Sequence, residues 1–218
     1  MFIQIKHLFI KDIMIEWRQK YALNAALLYV LSTVFITYLV FQNFIDPVLW
    51  NALFWIIIVF VSINTVSHSF VLESKNRHYY YYTIASPQAV IMAKIIYNNL
   101  IMFIFTFLTY LIFSLFFGGL IQNNILFYLT ILLGSMGFSS MLTMTSAIAW
   151  KANNSFSLVA VLGFPLALPL LIVLIRLTKM ALGIFVWAEA LKFLLILLLL
   201  NFIIVALAYI LFPFIWKD

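Results

Sequence analysis

From Phe193 to Phe214 the chain reads FLLILLLLNFIIVALAYILFPF, twenty-two residues without a charge. A helix needs roughly 20 mainly apolar residues to cross the hydrocarbon core of a bilayer. A surface helix of a soluble protein keeps one polar face, and this run has none. Spanning strands are excluded, because they alternate apolar and polar residues. The stretch is therefore read as a transmembrane helix. The same reading applies to residues 21–41, 47–70, 92–117, 125–150 and 156–175, which makes six spans in one membrane domain.

Composition agrees with this reading. Of the 218 residues, 67% are apolar and 8% are charged, against about 45–50% and about 25% in ordinary soluble domains. Mean hydropathy is +1.19. A soluble fold of this size could not hide so much apolar surface. A soluble enzyme, a disordered chain and a nucleic-acid-binding domain are set aside. With no cysteine, disulfides and thiolate sites are excluded.

Ahead of the first span, MFIQIKHLFIKDIMIEWRQK (residues 1–20) differs in kind. Gln4, His7, Lys11 and Arg18 recur at helical spacing, and Phe2, Ile5, Phe9 and Ile13 recur opposite them. This pattern predicts an amphipathic helix lying in the membrane interface, with Trp17 as an anchor. Charges run through to Lys20, which is unlike a cleavable signal. Lysine and arginine set the orientation. With the N-terminus inside, nine fall on inner segments and three, Arg176, Lys179 and Lys192, on outer ones. Both termini are expected in the cytoplasm. The three outer cations flank TKMALGIFVWAEA (178–190), too short to cross and read as a short re-entrant or interfacial helix.

The longest inner connection runs from Glu73 to Lys94 and holds four consecutive tyrosines, Tyr79, Tyr80, Tyr81 and Tyr82. The run fits an interfacial aromatic belt or a protein docking surface. Ser86-Pro87 then marks a helix start, with serine at the N-cap and proline in the first turn. Within the spans ionisable groups are scarce. His68, near the inner end of the second span, is the remaining candidate for ligation or proton relay. No HExxH, GxSxG or Walker A loop occurs, so no enzyme activity is assigned. Span four carries Gly134, Ser135, Gly137, Ser139, Ser140, Ser146 and Ala147, small residues that let helices approach closely. It is expected at the centre of the bundle or at a subunit contact. Span five carries Pro165 and Pro169, each of which removes a backbone donor. They form either a passive kink or a pivot.

Four segments taken together resemble the haem exporter protein B (CcmB) family, and the likeness extends over nearly the whole chain. They are IEWRQKYALNAALLY (15–29), SPQAVIMAKIIYN (86–98), LLGSMGFSSMLTMTSAIAWKANNS (132–155) and VLGFPLALPLLI (161–172). The resemblance implies an all-α integral membrane permease of the ABC-2-exporter kind, with six spans and an N-terminal interfacial helix. It implies residence in a bacterial inner membrane and a role in haem export or release during cytochrome c maturation. ATP would be used by a separate, CcmA-like cytoplasmic ATPase subunit. Further implied partners are a second copy of the chain or a CcmC-like haem-handling membrane subunit, and a CcmE-like periplasmic haem chaperone. Haem is the implied handled ligand, with no bound cofactor assigned to this chain. In the family, Phe-x-x-Asp-x-x-Asp-Gly after span two resembles an ATPase-coupling element. Here the run holds Phe70, Glu73, Asn76 and Arg77: Phe70 matches, Glu73 keeps the first charge, Asn76 loses the second, and Arg77 replaces glycine. With Tyr79 to Tyr82 these residues form the expected coupling loop. A permease for lipid, polysaccharide or drug, or a non-transporting scaffold, would share the spans but not the family segments.

Overall fold

The computed structural model describes residues 1–19, 21–41, 45–66, 70, 85–152, 156–183 and 186–217. Among them are seven helices: α1 (Phe2–Gln19), α2 (Tyr21–Phe41), α3 (Pro47–Val66), α4 (Pro87–Phe117), α5 (Asn124–Lys151), α6 (Phe156–Leu182) and α7 (Trp187–Lys217). Six of them, α2 to α7, are long and apolar enough to cross a membrane.

Local chemistry sets several helix starts. Asp46 precedes Pro47, and its Oδ1 accepts the Leu49 N–H at 2.7 Å. Asn123 caps α5 by accepting the Leu126 N–H at 3.0 Å. These side chains satisfy backbone donors that a helix start leaves orphaned. Ser86 stands at the N-cap of α4 with proline following, as expected, but caps nothing. Its hydroxyl instead donates to Gln4 Oε1 of α1 at 3.3 Å. Helix α4 ends at Gly118, whose φ of 76° suits a residue without Cβ. The turn beyond is tied to α6, because the N–H groups of Gln122 and Asn123 both donate to Ala181 O at 3.0 Å.

Helix α5 occupies the centre, in contact with α3, α4, α6 and α7. The reason lies in its small residues. A Cβ built at Gly134 would sit 2.9 Å from Leu174 Cδ2, and one at Gly137 would sit 3.1 Å from Leu170 Cδ2. Gly163 of α6 returns the arrangement, since a Cβ built there would sit 3.1 Å from Leu142 Cδ2. Leucines of one helix thus fill glycine notches of the other along an antiparallel pair. Polar side chains reinforce the contacts. Asn98 Nδ2 donates to Thr143 Oγ1 at 2.8 Å, Asn201 Nδ2 to Leu133 O at 3.1 Å, and Trp55 Nε1 to Thr178 Oγ1 at 2.9 Å. Around the α3 start, Trp50, Phe54, Phe113 and Phe127 form an aromatic cluster with centroid distances of 5.1 to 5.9 Å. Each such pair adds about 0.5–1.5 kcal/mol beyond burial. Helix α2 lies at the edge, burying Ala26, Val30 and Val34, four residues apart, and exposing most of the rest.

The structure revises several expected boundaries. Helix α4 begins at Pro87, where Ser86-Pro87 marks its start, five residues ahead of the apolar span; α6 runs past 175 to Leu182, and α7 begins at Trp187 rather than 193. No separate re-entrant helix occurs among the described residues of 178–190; the stretch is shared between the end of α6 and the start of α7. Buried Leu177, Thr178, Ala181 and Leu182 continue the inward face of α6, so the helix has no reason to break where the apolar window stops. Pro165 and Pro169 lie on the exposed side of α6, and the helix runs on through both.

Candidate coupling site

One end of the bundle gathers α1, the start of α4, Phe70 and the C-terminal turns of α5 and α7. The 31 residues of α4 extend about 46 Å, some 16 Å more than a hydrocarbon core of about 30 Å. The excess equals its first three turns. From Ala89 to Asn98 every residue but Met92 and Ile96 is buried, because α1 lies along this stretch. The contacts step along both helices in the same direction: Gln4 with Ser86, Asp12 with Lys94, and Glu16 with Tyr97. Phe9 adds an edge-on contact to the Tyr97 ring at 6.4 Å.

The face of α1 turned to α4 is not set by apolarity alone. Phe2, assigned to the apolar face, is 86% exposed, whereas Asp12 is buried. The partner surface explains the difference: α4 presents a buried cation, Lys94, and a carboxylate facing it offsets the cost of burying either charge alone. Outward, α1 presents Ile3, Ile10 and Met14 beside Lys6 and His7, all exposed. That pairing of apolar and basic groups suits the interfacial placement expected of the helix.

Lys94 is the centre of the site. It is 5% exposed. Its Nζ lies 4.0 Å from Asp12 Oδ2 and 5.0 Å from the centroid of the Phe70 ring. Asp12 also pairs with Lys11 at 2.9 Å. Phe70 is wholly buried. Its N–H donates to Ser146 Oγ at 3.2 Å, and its ring lies 5.5 Å from that of Phe212. Phe212 continues to Trp216, and Trp216 to Trp150, at centroid distances of 5.3 and 6.4 Å. One lysine therefore joins α1 to the residue from which the expected coupling loop departs, and that residue is bolted to α5 and α7.

Burial raises the pKa of Glu16 above the ordinary carboxyl value; a hydrogen-bonding contact with Tyr97 and the charge of Lys94 oppose the rise, and Asp12 adds to it. The Tyr97 hydroxyl faces this carboxyl. A proton held more tightly in the docked than in the undocked state stabilises docking. That contribution is complete below the ordinary carboxyl pKa and is lost as pH rises through the raised value. Glu16→Gln is accordingly expected to dock α1 more firmly than the native chain at neutral pH, with the advantage vanishing in acid. The check is maleimide labelling of Leu8→Cys, with and without Glu16→Gln, taken as a ratio at each pH. A ratio independent of pH would remove the role of Glu16.

Of the expected coupling residues, Phe70 is described and sits at the junction. Glu73, Asn76, Arg77 and Tyr79 to Tyr82 lie outside the described residues, as does His68. Gly134 and Gly137 lie at the bundle centre, away from this site. Asp12, Glu16, Lys94 and Tyr97 were not singled out from the sequence. The available signal was a pair of carboxylates four apart on one helix and a lysine three residues before a tyrosine on another. Among the described residues no group of three or more His, Asp or Glu could hold a metal.

Comparison with curated proteins and with solved structures found no match. The family model described as CcmB protein matches residues 3–215, nearly the full length, and the chain accordingly belongs to the CcmB family.

Proposed function

We propose that this chain is the membrane-spanning subunit of an ABC transporter acting in haem export or release during cytochrome c maturation, in a bacterial inner membrane with both termini in the cytoplasm. The family match over residues 3–215 carries the reading, and the six spans supply the body of a permease. A CcmA-like ATPase would engage the loop from Phe70 through Glu73, Asn76, Arg77 and Tyr79 to Tyr82. Closure of that ATPase on ATP would be felt at Phe70 and passed through Ser146 to α5, through Phe212 to α7, and through Lys94 to α1. A ligand shifts such an equilibrium only by as much as it favours one state. The two states would differ in how these helix ends are held. Pro165 and Pro169 leave α6 short of two backbone hydrogen bonds, which makes it the compliant helix of the bundle. A second copy of the chain or a CcmC-like subunit, and a CcmE-like chaperone receiving haem outside, would complete the assembly.

The test is a haem stain of membrane proteins in a strain lacking this gene. Bands of c-type cytochromes are expected to disappear and to return with the native chain. They should not return with Glu73→Lys/Arg77→Glu, and the ATPase should no longer co-purify with that variant. Normal bands in the deletion strain would reject the haem reading in favour of another exported substrate. Full rescue and undiminished co-purification by the double variant would reject the loop as the coupling contact.

A further inference from the structure

At the end of the bundle opposite α1, a cavity of about 1040 Å³ opens between α3, α6 and α7. All three of the cations that stand against the charge bias of the sequence, Arg176, Lys179 and Lys192, line it, with one carboxylate, Glu189. Two positive charges are left over. Among the described residues none of the three cations makes an ion pair within 4.0 Å. Arg176 is held at the wall, its Cζ 5.4 Å from the centroid of the Phe193 ring. The rest of the lining is mainly apolar and opens sideways, with Val48 67%, Ile175 40% and Ile196 42% exposed.

A second feature marks the cavity as a built site. Asn51, in its wall, is 4% exposed. Its Nδ2 donates to Ile175 O at 2.9 Å, which fixes the amide, and its Oδ1 has no hydrogen-bond partner. A buried acceptor left unpaired costs about 1–3 kcal/mol. A ligand that brings a hydroxyl donor together with negative charge answers both features.

We infer that this cavity binds an acidic phospholipid of the leaflet opposite the coupling site. Its phosphate pairs with Arg176, Lys179 and Lys192, a headgroup hydroxyl donates to Asn51 Oδ1, and an acyl chain lies on Val48, Ile175 and Ile196. Three basic residues at a membrane edge attract anionic headgroups with an energy that adds per residue. A cleft open to the hydrocarbon on one side and cationic at its rim has the shape of a lipid, not of a soluble anion. The bound lipid would neutralise the cations where α6 and α7 meet and brace that end against α3.

The experiment uses the delipidated full chain in detergent, with native mass spectrometry after addition of phosphatidylglycerol or of phosphatidylcholine with the same acyl chains. Phosphatidylglycerol is expected to bind at least tenfold more tightly. The Arg176→Gln/Lys179→Gln/Lys192→Gln variant should bring it down to the phosphatidylcholine level. Lys6→Gln/Lys151→Gln, with both changes outside the cavity, should leave the preference intact. Equal binding of the two lipids, or an unaltered preference in the triple variant, would overturn the inference. Displacement of the lipid by millimolar glycerol phosphate would overturn it too, by making the ligand a free anion. Should the triple variant fail to fold, a photoactivatable phosphatidylglycerol on the native chain decides: adducts on peptides of α3, α6 and α7 support the site, and adducts elsewhere reject it.

Discussion

Replacing Lys94 with methionine is expected to release α1 from the bundle. Lys94 and Asp12 are 5% and 8% exposed, so neither charge is well hydrated. Removing one member of a buried pair leaves the other uncompensated, at a cost of about 3–5 kcal/mol. The 4.0 Å separation and the second cation, Lys11 at 2.9 Å, place this case at the lower end. About 3 kcal/mol corresponds to roughly a hundredfold in the docking equilibrium. The absence of cysteine from the chain makes the measurement direct. Leu8, half-buried between α1 and the loop-end cluster, is changed to cysteine and its labelling rate followed. In the native background labelling should be slow, and Lys94→Met should speed it about a hundredfold. Asp12→Asn combined with Lys94→Met should recover most of the protection, because a pair replaced on both sides leaves no buried charge. Unchanged labelling in Lys94→Met would show that α1 is held by its apolar contacts alone. The result bears on function because Lys94 also lies over the Phe70 ring. Its loss would free α1 and loosen the root of the proposed coupling loop in one step.

The legible part of the fold rested on length and composition. A run such as Phe193–Phe214 has only one economical solution in a bilayer, so six spans followed without tertiary information. The small residues of α5 pointed to the bundle centre or to a subunit contact, because glycine and serine have little to offer lipid and much to offer a neighbouring backbone, and the helix lies at the centre. Helix ends were less legible. Past the hydrocarbon a helix continues on its buried face alone, as Leu177, Ala181 and Leu182 do on α6, and an apolar window misses that face. The candidate coupling site was legible only at Phe70, through family resemblance. Asp12 and Lys94 are 82 residues apart, and each alone looks like a solvated charge near a membrane surface. Only their juxtaposition makes them a site. Arg176, Lys179 and Lys192 were legible as an anomaly of charge, but their convergence with Asn51 on one cavity required the packing of three helices.

Gly134→Leu should be the most damaging single substitution in the bundle. A Cβ there already meets Leu174 Cδ2 at 2.9 Å and the Trp55 ring at 3.0 and 3.3 Å. The Leu174 tip can rotate aside. Trp55 cannot, since its Nε1 is tied to Thr178 at 2.9 Å and its ring is held between Phe54 and Phe138 at 5.3 and 6.3 Å. Gly134→Ala should therefore cost about 1–3 kcal/mol, the usual range for overpacking, and leucine more than that. For a chain of this size each kcal/mol lowers Tm by about 2–4 °C. Alanine is expected to lower the melting midpoint of detergent-solubilised protein by several degrees, and leucine to abolish the monodisperse peak on size exclusion. Gly119→Leu supplies the contrast, because a Cβ there meets nothing within 4 Å, and its midpoint should stay within about a degree. A leucine variant that eluted and melted like the native chain would mean that α5 and α6 stand further apart than the notch at Gly134 requires. The glycines would then serve sliding between helices rather than close contact. Force entering at Phe70 would reach α5 through Ser146 and be lost there, instead of passing to α6 through Leu174 and Leu170. Close contact at Gly134 and Gly137 is thus the condition for the far end of the bundle to respond to the proposed coupling end.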